Sequence, residues 1–134
     1  MNAKFWSAYK TARLARISAG GSLTLVSGYL SHRPNKDALL QGCINAALES
    51  LGRGLALALS PVRVNTVSPG LIDTPIRAAM PADQKQKMYD QAASTLPARR
   101  VGQPEDVAEA IVMLMTNPFT TGSTLFVDGG GSIA

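Results

Sequence analysis

Few side chains in this sequence can do acid, base or nucleophilic chemistry, and their neighbours limit what that chemistry can be. His32 is the only histidine. It could titrate near neutral pH, but it lies in a polar stretch with Arg33 and Pro34 and is expected as a surface loop residue. Ser27 precedes it, yet no nucleophile elbow or ordered acid partner accompanies the two, so they do not form a hydrolase pair. Cys43 is the only cysteine, which excludes an intramolecular disulfide and a thiolate metal cluster. Inside an apolar helical run it is expected as a buried thiol. No His, Asp and Glu cluster has ligand spacing, and no metal is expected. Tyr29 and Arg33 are four apart in the loop; Tyr29 could donate a proton or simply wall a cleft. Gln41 and Asn45 share that spacing within a helical run, which puts both on one face. Neither titrates, so the pair offers hydrogen bonds to a pocket or a hydroxyl, or is an ordinary polar stripe.

The elements that would carry these residues follow from hydrophobic period and punctuation. Apolar positions recur at helical spacing over residues 3–17, and Ala19, Gly20 and Gly21 end that helix. Residues 22–27 read as a short buried strand, and residues 28–35 as a loop. Residues 37–59 form the longest helix candidate, with Asp37 near its amino end and Glu49 and Arg53 an i,i+4 pair. Pro61 breaks the chain, residues 62–67 read as a second strand, and Ser68-Pro69-Gly70 ends it. Residues 71–96 are irregular, with a helix over residues 82–93. Gln103-Pro104-Glu105-Asp106 resembles a helix start, proline in the first turn and acids at the positive end, and that helix runs to about Met115. Residues 124–127 make a third strand. Helices between short apolar strands build a parallel sheet with helices on both faces, an α/β Rossmann-type arrangement.

Length and composition agree. The chain has 134 residues, 46% apolar and 16% charged, which fits one folded domain. A net charge of +4 is spread along the sequence with no dense basic block, so no nucleic-acid partner is expected. Lys4, Lys10, Arg13 and Arg16 interrupt any signal-like apolar core, and the apolar run at 51–59 is too short to span a bilayer. No membrane association and a cytoplasmic setting are expected. Three strands leave an unpaired apolar edge, whereas an intact doubly wound sheet has about six strands. The chain is therefore expected to be a partial domain whose first half is missing or supplied elsewhere.

Four segments carry a resemblance. Gly21-Ser22-Leu23-Thr24-Leu25-Val26-Ser27-Gly28 is similar to the fifth strand of the short-chain dehydrogenase/reductase family. Asn45-Ala46-Ala47-Leu48-Glu49-Ser50-Leu51 resembles its long active-site helix. Val64-Asn65-Thr66-Val67-Ser68-Pro69-Gly70-Leu71-Ile72-Asp73-Thr74-Pro75 resembles its sixth strand and cofactor loop. Arg100-Val101-Gly102-Gln103-Pro104-Glu105-Asp106-Val107-Ala108, with Thr121-Gly122 and Val127-Asp128-Gly129-Gly130, resembles its closing helix and strand.

The resemblance implies NAD- or NADP-dependent hydride transfer between an alcohol and a carbonyl. It implies a tyrosine as acid/base, a lysine one turn later that binds the nicotinamide ribose, a serine at the end of the fifth strand and an asparagine in the preceding helix. In ungapped register Gln41 takes the tyrosine position and Asn45 the lysine position. Gly28 falls on the serine, with Ser27 one residue earlier, and Asn2 is nearest the asparagine. Tyr29 and Arg33 repeat the spacing of the replaced pair. Pro69, Gly70, Ile72 and Thr74 match the cofactor loop, with the Ile72 backbone at the carboxamide and the Thr74 hydroxyl near nicotinamide or phosphates. The glycine-rich pyrophosphate turn has no counterpart in residues 1–134. The implied cofactor is NAD or NADP, as in the intact family. Residues 79–96 resemble a substrate lid, and a homo-oligomer paired through the long helix is implied. The expected function is oxidoreductase by resemblance, with this chain inactive alone; the alternatives are a noncatalytic dinucleotide-binding or assembly protein and a truncated remnant.

Overall fold

The structure is a computed structural model that describes the backbone of residues 1–134 and every side chain except that of Asn2. A π-helical turn, Asn2–Trp6, leads into α1 (Ser7–Leu14), followed by β1 (Ser22–Val26), a 3-10 turn (Tyr29–Ser31) and α2 (Leu39–Ala58). Then come β2 (Arg63–Pro69), a second 3-10 turn (Pro75–Arg77), α3 (Ala82–Thr95), α4 (Pro104–Thr116) and β3 (Thr124–Val127). The three strands are all parallel, in the order β1-β2-β3. β1 runs beside β2 from Ser22 opposite Arg63 to Val26 opposite Val67, and β3 joins from Thr124 opposite Thr66.

The central strand behaves as a parallel strand covered on both faces must. From Val64 to Ser68 every residue of β2 is buried, with Val64 and Val67 in the core and the buried polar groups of Asn65 and Ser68 hydrogen-bonded to neighbouring segments. Ala12 of α1, Leu25 of β1, Leu55 of α2 and Val64 of β2 form the core, flanked by Ala8, Leu23, Leu51, Ala56 and Leu59. α4 lies against the sheet through Leu114, and Arg63 donates to the carbonyls of Leu114 and Met115 at 2.8 and 2.7 Å, closing that helix end. The outer edge of β1 has no partner strand among the described residues, and Val26 on it is 46% exposed.

Several local expectations need correction. The first helix stops at Leu14, because Ala15 is extended and Gly21 donates to Ser18 to close a turn before β1. α2 begins at Leu39 and not at Asp37: the Asn35 carboxamide accepts the Asp37 N–H at 2.8 Å and the Asn35 carbonyl accepts that of Ala38, a turn that delays the helix. Cys43 is exposed, since only one face of α2 covers the sheet. Glu49 is not a surface partner of Arg53; it is 4% exposed and bonded to serines. Among the described residues no helix is long and apolar enough to cross a membrane, and no group of three His, Cys, Asp or Glu is placed to hold a metal.

Candidate functional site

The carboxyl ends of the three strands open on the same side, and the segment after β2 folds across them. The Gly70 N–H donates to Val127 O at 3.0 Å, tying the exit of β2 to the end of β3. Glycine is required at that crossing: a Cβ there would stand 2.7 Å from the Cα of Asp128. Next, Gly102 donates to Leu71 O at 3.0 Å and Asp73 to Gly102 O at 2.9 Å, so Ile72 pairs with Gly102 as one rung of a parallel ladder. That rung turns the Ile72 N–H and C=O the other way. Arg77 donates to the Ile72 carbonyl at 3.1 Å, while the Ile72 N–H and the Thr74 hydroxyl make no hydrogen bond among the described residues. A cavity of about 260 Å³ lies beside this loop, lined by Leu71, Ile72, Gly102, Phe126 and Asp128 among others.

The loop is also anchored to α3. Asp73 Oδ1 accepts from Tyr89 at 2.8 Å and from Lys85 at 2.9 Å. The Lys85 hydrogen bond, then that of Tyr89, hold the Asp73 carboxyl below its ordinary range, and the Asp73 hydrogen bond raises Lys85. A second pair sets the start of α4: Arg100 grips Asp106 with both terminal nitrogens, at 2.7 and 2.6 Å, while Asp106 accepts the Gln103 N–H at 2.7 Å. The Arg100 bond, with that of Gln103, keeps the Asp106 carboxyl far below the usual carboxylate range.

At the end of β1 the sequence candidates separate. Ser27 is 5% exposed, and its hydroxyl donates to Glu49 Oε1 of α2 at 2.9 Å. The same oxygen accepts from Ser31 at 2.6 Å and Ser68 at 3.4 Å, while His32 Nδ1 lies 3.8 Å from Oε2. Three hydroxyls thus satisfy one buried carboxylate that links β1, β2 and α2. His32 is exposed as expected, and its ring meets Phe126 edge-on at 4.5 Å.

Gln41 and Asn45 are one turn apart but differ in setting. Gln41 is exposed and makes no hydrogen bond among the described residues, whereas Asn45 is 1% exposed. Asn45 Oδ1 accepts from Lys4 Nζ at 2.7 Å, and the same amine donates to Ser27 O at 2.7 Å. Burial lowers the pKa of Lys4. Lys4 carries no local sequence signal of this role, because a lysine in a basic, helical first turn looks like ordinary solvated surface. The side chain of Asn2 lies outside the described residues. Tyr29 lines a second cavity of about 150 Å³ with Arg33, Leu71, Leu96 and Asp128. Asp128, also unforeseen, accepts the N–H groups of Gly130 and Ser132 at 2.9 and 2.8 Å and borders both cavities.

Comparison with known proteins places this arrangement. A family model described as enoyl-(acyl carrier protein) reductase matches residues 1–132. A protein described as ketoacyl reductase 2 of the granaticin polyketide synthase, from Streptomyces violaceoruber, is 40% identical over 121 residues, 90% of this chain and 47% of that protein. A crystal structure of a small-chain dehydrogenase in complex with NADPH superposes with a TM-score of 0.89 at 38% identity, over 98% of this chain and 61% of that one. An NADPH-bound short chain oxidoreductase from Pseudomonas aeruginosa PAO1, described as containing an atypical catalytic center, gives a TM-score of 0.77 at 29% identity, over 87% of this chain and 48% of its own. The chain spans about half the length of the curated relatives it matches. With the parallel sheet, the loop after β2 and the matched segments in one order, the chain belongs to the short-chain dehydrogenase/reductase family.

Proposed function

We propose that the chain supplies the nicotinamide-facing half of an NAD(P)-dependent oxidoreductase that moves hydride between an alcohol and a carbonyl. The observation that carries this reading is the Ile72 N–H, held outward by the rung with Gly102 and left without an acceptor among the described residues. A fixed, unpaired backbone donor beyond the carboxyl end of a parallel strand suits a carboxamide oxygen. Thr74 adds a hydroxyl two residues on, and Pro69 and Gly70 let the loop cross Asp128 closely enough to present both.

These donors fit one end of a dinucleotide. The pyrophosphate end has no matching turn in residues 1–134, so the chain alone is a half-site. When bound, the nicotinamide gives or takes the hydride. In this reading Tyr29 walls the substrate side, Gln41 offers its carboxamide at the rim, and Asn45 and Ser27 act from beneath the site, Ser27 through its carbonyl oxygen because its hydroxyl is engaged by Glu49. A second reading, dinucleotide binding without turnover, is favoured by Gln41 and Asn45 themselves, which put no titratable group at either position. The exposed Leu39, Leu40 and Leu57 on α2 support self-association, which sedimentation would read.

Calorimetry with NADH and NADPH tests the proposal. Saturable binding by the folded chain, weakened when Gly70 is replaced, supports it. A folded chain that binds neither dinucleotide removes it, and binding without turnover on alcohols or carbonyls favours the second reading.

A further inference from the structure

We propose that the Lys4 ammonium is the cation of this site, reaching an oxygen of the nicotinamide ribose from the first helical turn, with Asn45 as the residue that positions it. The inference rests on the nicotinamide-facing reading given above. Lys4 is half-buried, and among the described residues no carboxylate lies within 4.0 Å of its amine. A cation partly removed from water without a counter-charge is unfavourable unless oxygen atoms replace the water it has lost. Two do so here, Ser27 O and Asn45 Oδ1, both at 2.7 Å. An ammonium has three N–H donors. The third has no acceptor in the described chain, so an incoming oxygen can complete the shell.

Position and backbone point the same way. Ser27 immediately follows β1, which places the amine at the carboxyl end of that strand, the side of an open parallel sheet where ligands bind. Lys4 lies in the π-helical turn Asn2–Trp6, a backbone form that occurs mostly as single turns and often at functional sites. Asn45 stands on the opposite wall, where the family resemblance expects a lysine. Its carboxamide cannot reach out as an amine would, yet it fixes an amine that comes from α1's side. The cation is thus retained while the residue that carries it moves 41 positions along the chain.

The test uses nicotinamide mononucleotide, which carries the nicotinamide, ribose and one phosphate without needing a pyrophosphate turn. It is titrated into the 134-residue chain while NMR follows the lysine side-chain CεH₂ groups and the backbone amides. The expected result is movement of both the Ile72 amide and the Lys4 CεH₂ signals, with the other four lysines unmoved. Lys4→Met is then expected to weaken binding by about tenfold, the loss of one charge-assisted hydrogen bond. Lys4→Arg keeps most of the affinity, and Asn45→Lys in the Lys4→Met background restores it. Movement at Ile72 with a silent Lys4, or unchanged affinity in a folded Lys4→Met chain, overturns the inference and leaves the nicotinamide reading standing. No movement at either residue in a folded chain overturns both. The wild-type Lys4 signal decides the matter even where a variant fails to fold.

Discussion

A Cβ on Gly28 would lie 2.8 Å from Asn45 Nδ2, so these two residues exclude any larger side chain at position 28 while Asn45 holds its present place. The carboxamide has little room to yield, being 1% exposed and tied by its oxygen to Lys4. Gly28→Ala is expected to destabilise the chain by about 1–3 kcal/mol, the usual cost of overpacking. In the Asn45→Ala background the same change should cost much less, because the obstructing atoms are gone. Denaturant unfolding of the two single variants and the double variant measures this coupling; equal costs in both backgrounds would show that the contact carries no strain.

Glu49 offers a second case where one side chain holds several elements. Glu49→Ala removes the short acceptor of Ser27 and Ser31 and leaves them only longer bonds to the carbonyls of Val67 at 3.4 Å and Gly28 at 3.2 Å, with an expected loss of about 1–3 kcal/mol. Glu49→Gln keeps a carbonyl oxygen at the same reach and should lose less. A urea midpoint that falls equally for both variants would mean that the charge matters and the hydrogen bonds do not.

The outline of the fold was legible because each element has its own local signal. The apolar period, the Pro and Gly punctuation and the acidic start of α4 put β3 at Thr124–Val127 and α3 and α4 within a few residues of their observed ends. The turn at Ser68-Pro69-Gly70 was legible for the same reason, whereas Ile72 and Thr74 were singled out only by the resemblance to the family's cofactor loop. Lys4 and Glu49 were not legible. Their roles come from contacts with residues 41 and 22 positions away, which no helical or strand period encodes. Cys43 misled because an apolar run around α2 does not say which side meets the sheet. Asp37 misled because the Asn35 turn competes with the helix for the same backbone groups.

The anchor between α3 and the loop should depend on pH in a definite direction. Asp73 is held below its ordinary carboxyl value in the folded chain, chiefly by Lys85 and then by Tyr89. Its contribution is therefore complete above that ordinary value and is lost as pH falls through the lowered one. Lys85 is raised, so its share is complete below the ordinary lysine range and fades as pH climbs past the folded value. Between these limits α3 amides should be well protected, and acidification should lower their protection, corrected for the intrinsic exchange rate, before that of the β2 amides. Asp73→Asn is expected to remove most of that acid sensitivity; an α3 exchange profile identical in both chains would contradict it.

The chain by itself is expected to show no measurable hydride transfer with NADH or NADPH. Gln41 is exposed and cannot titrate, and Asn45 is buried beneath Gly28, so neither can give up a proton in step with the hydride. Of the two tyrosines near the loop, Tyr89 has its hydroxyl engaged by Asp73, and Tyr29 sits in a 3-10 turn beside the smaller cavity with no side-chain hydrogen bond to a base among the described residues. Activity assays on simple alcohols and carbonyls, with Tyr29→Phe alongside, check this. Turnover that disappears in Tyr29→Phe would mean that the loop tyrosine has replaced the proton donor of the family, and turnover that persists would move the search to Lys4.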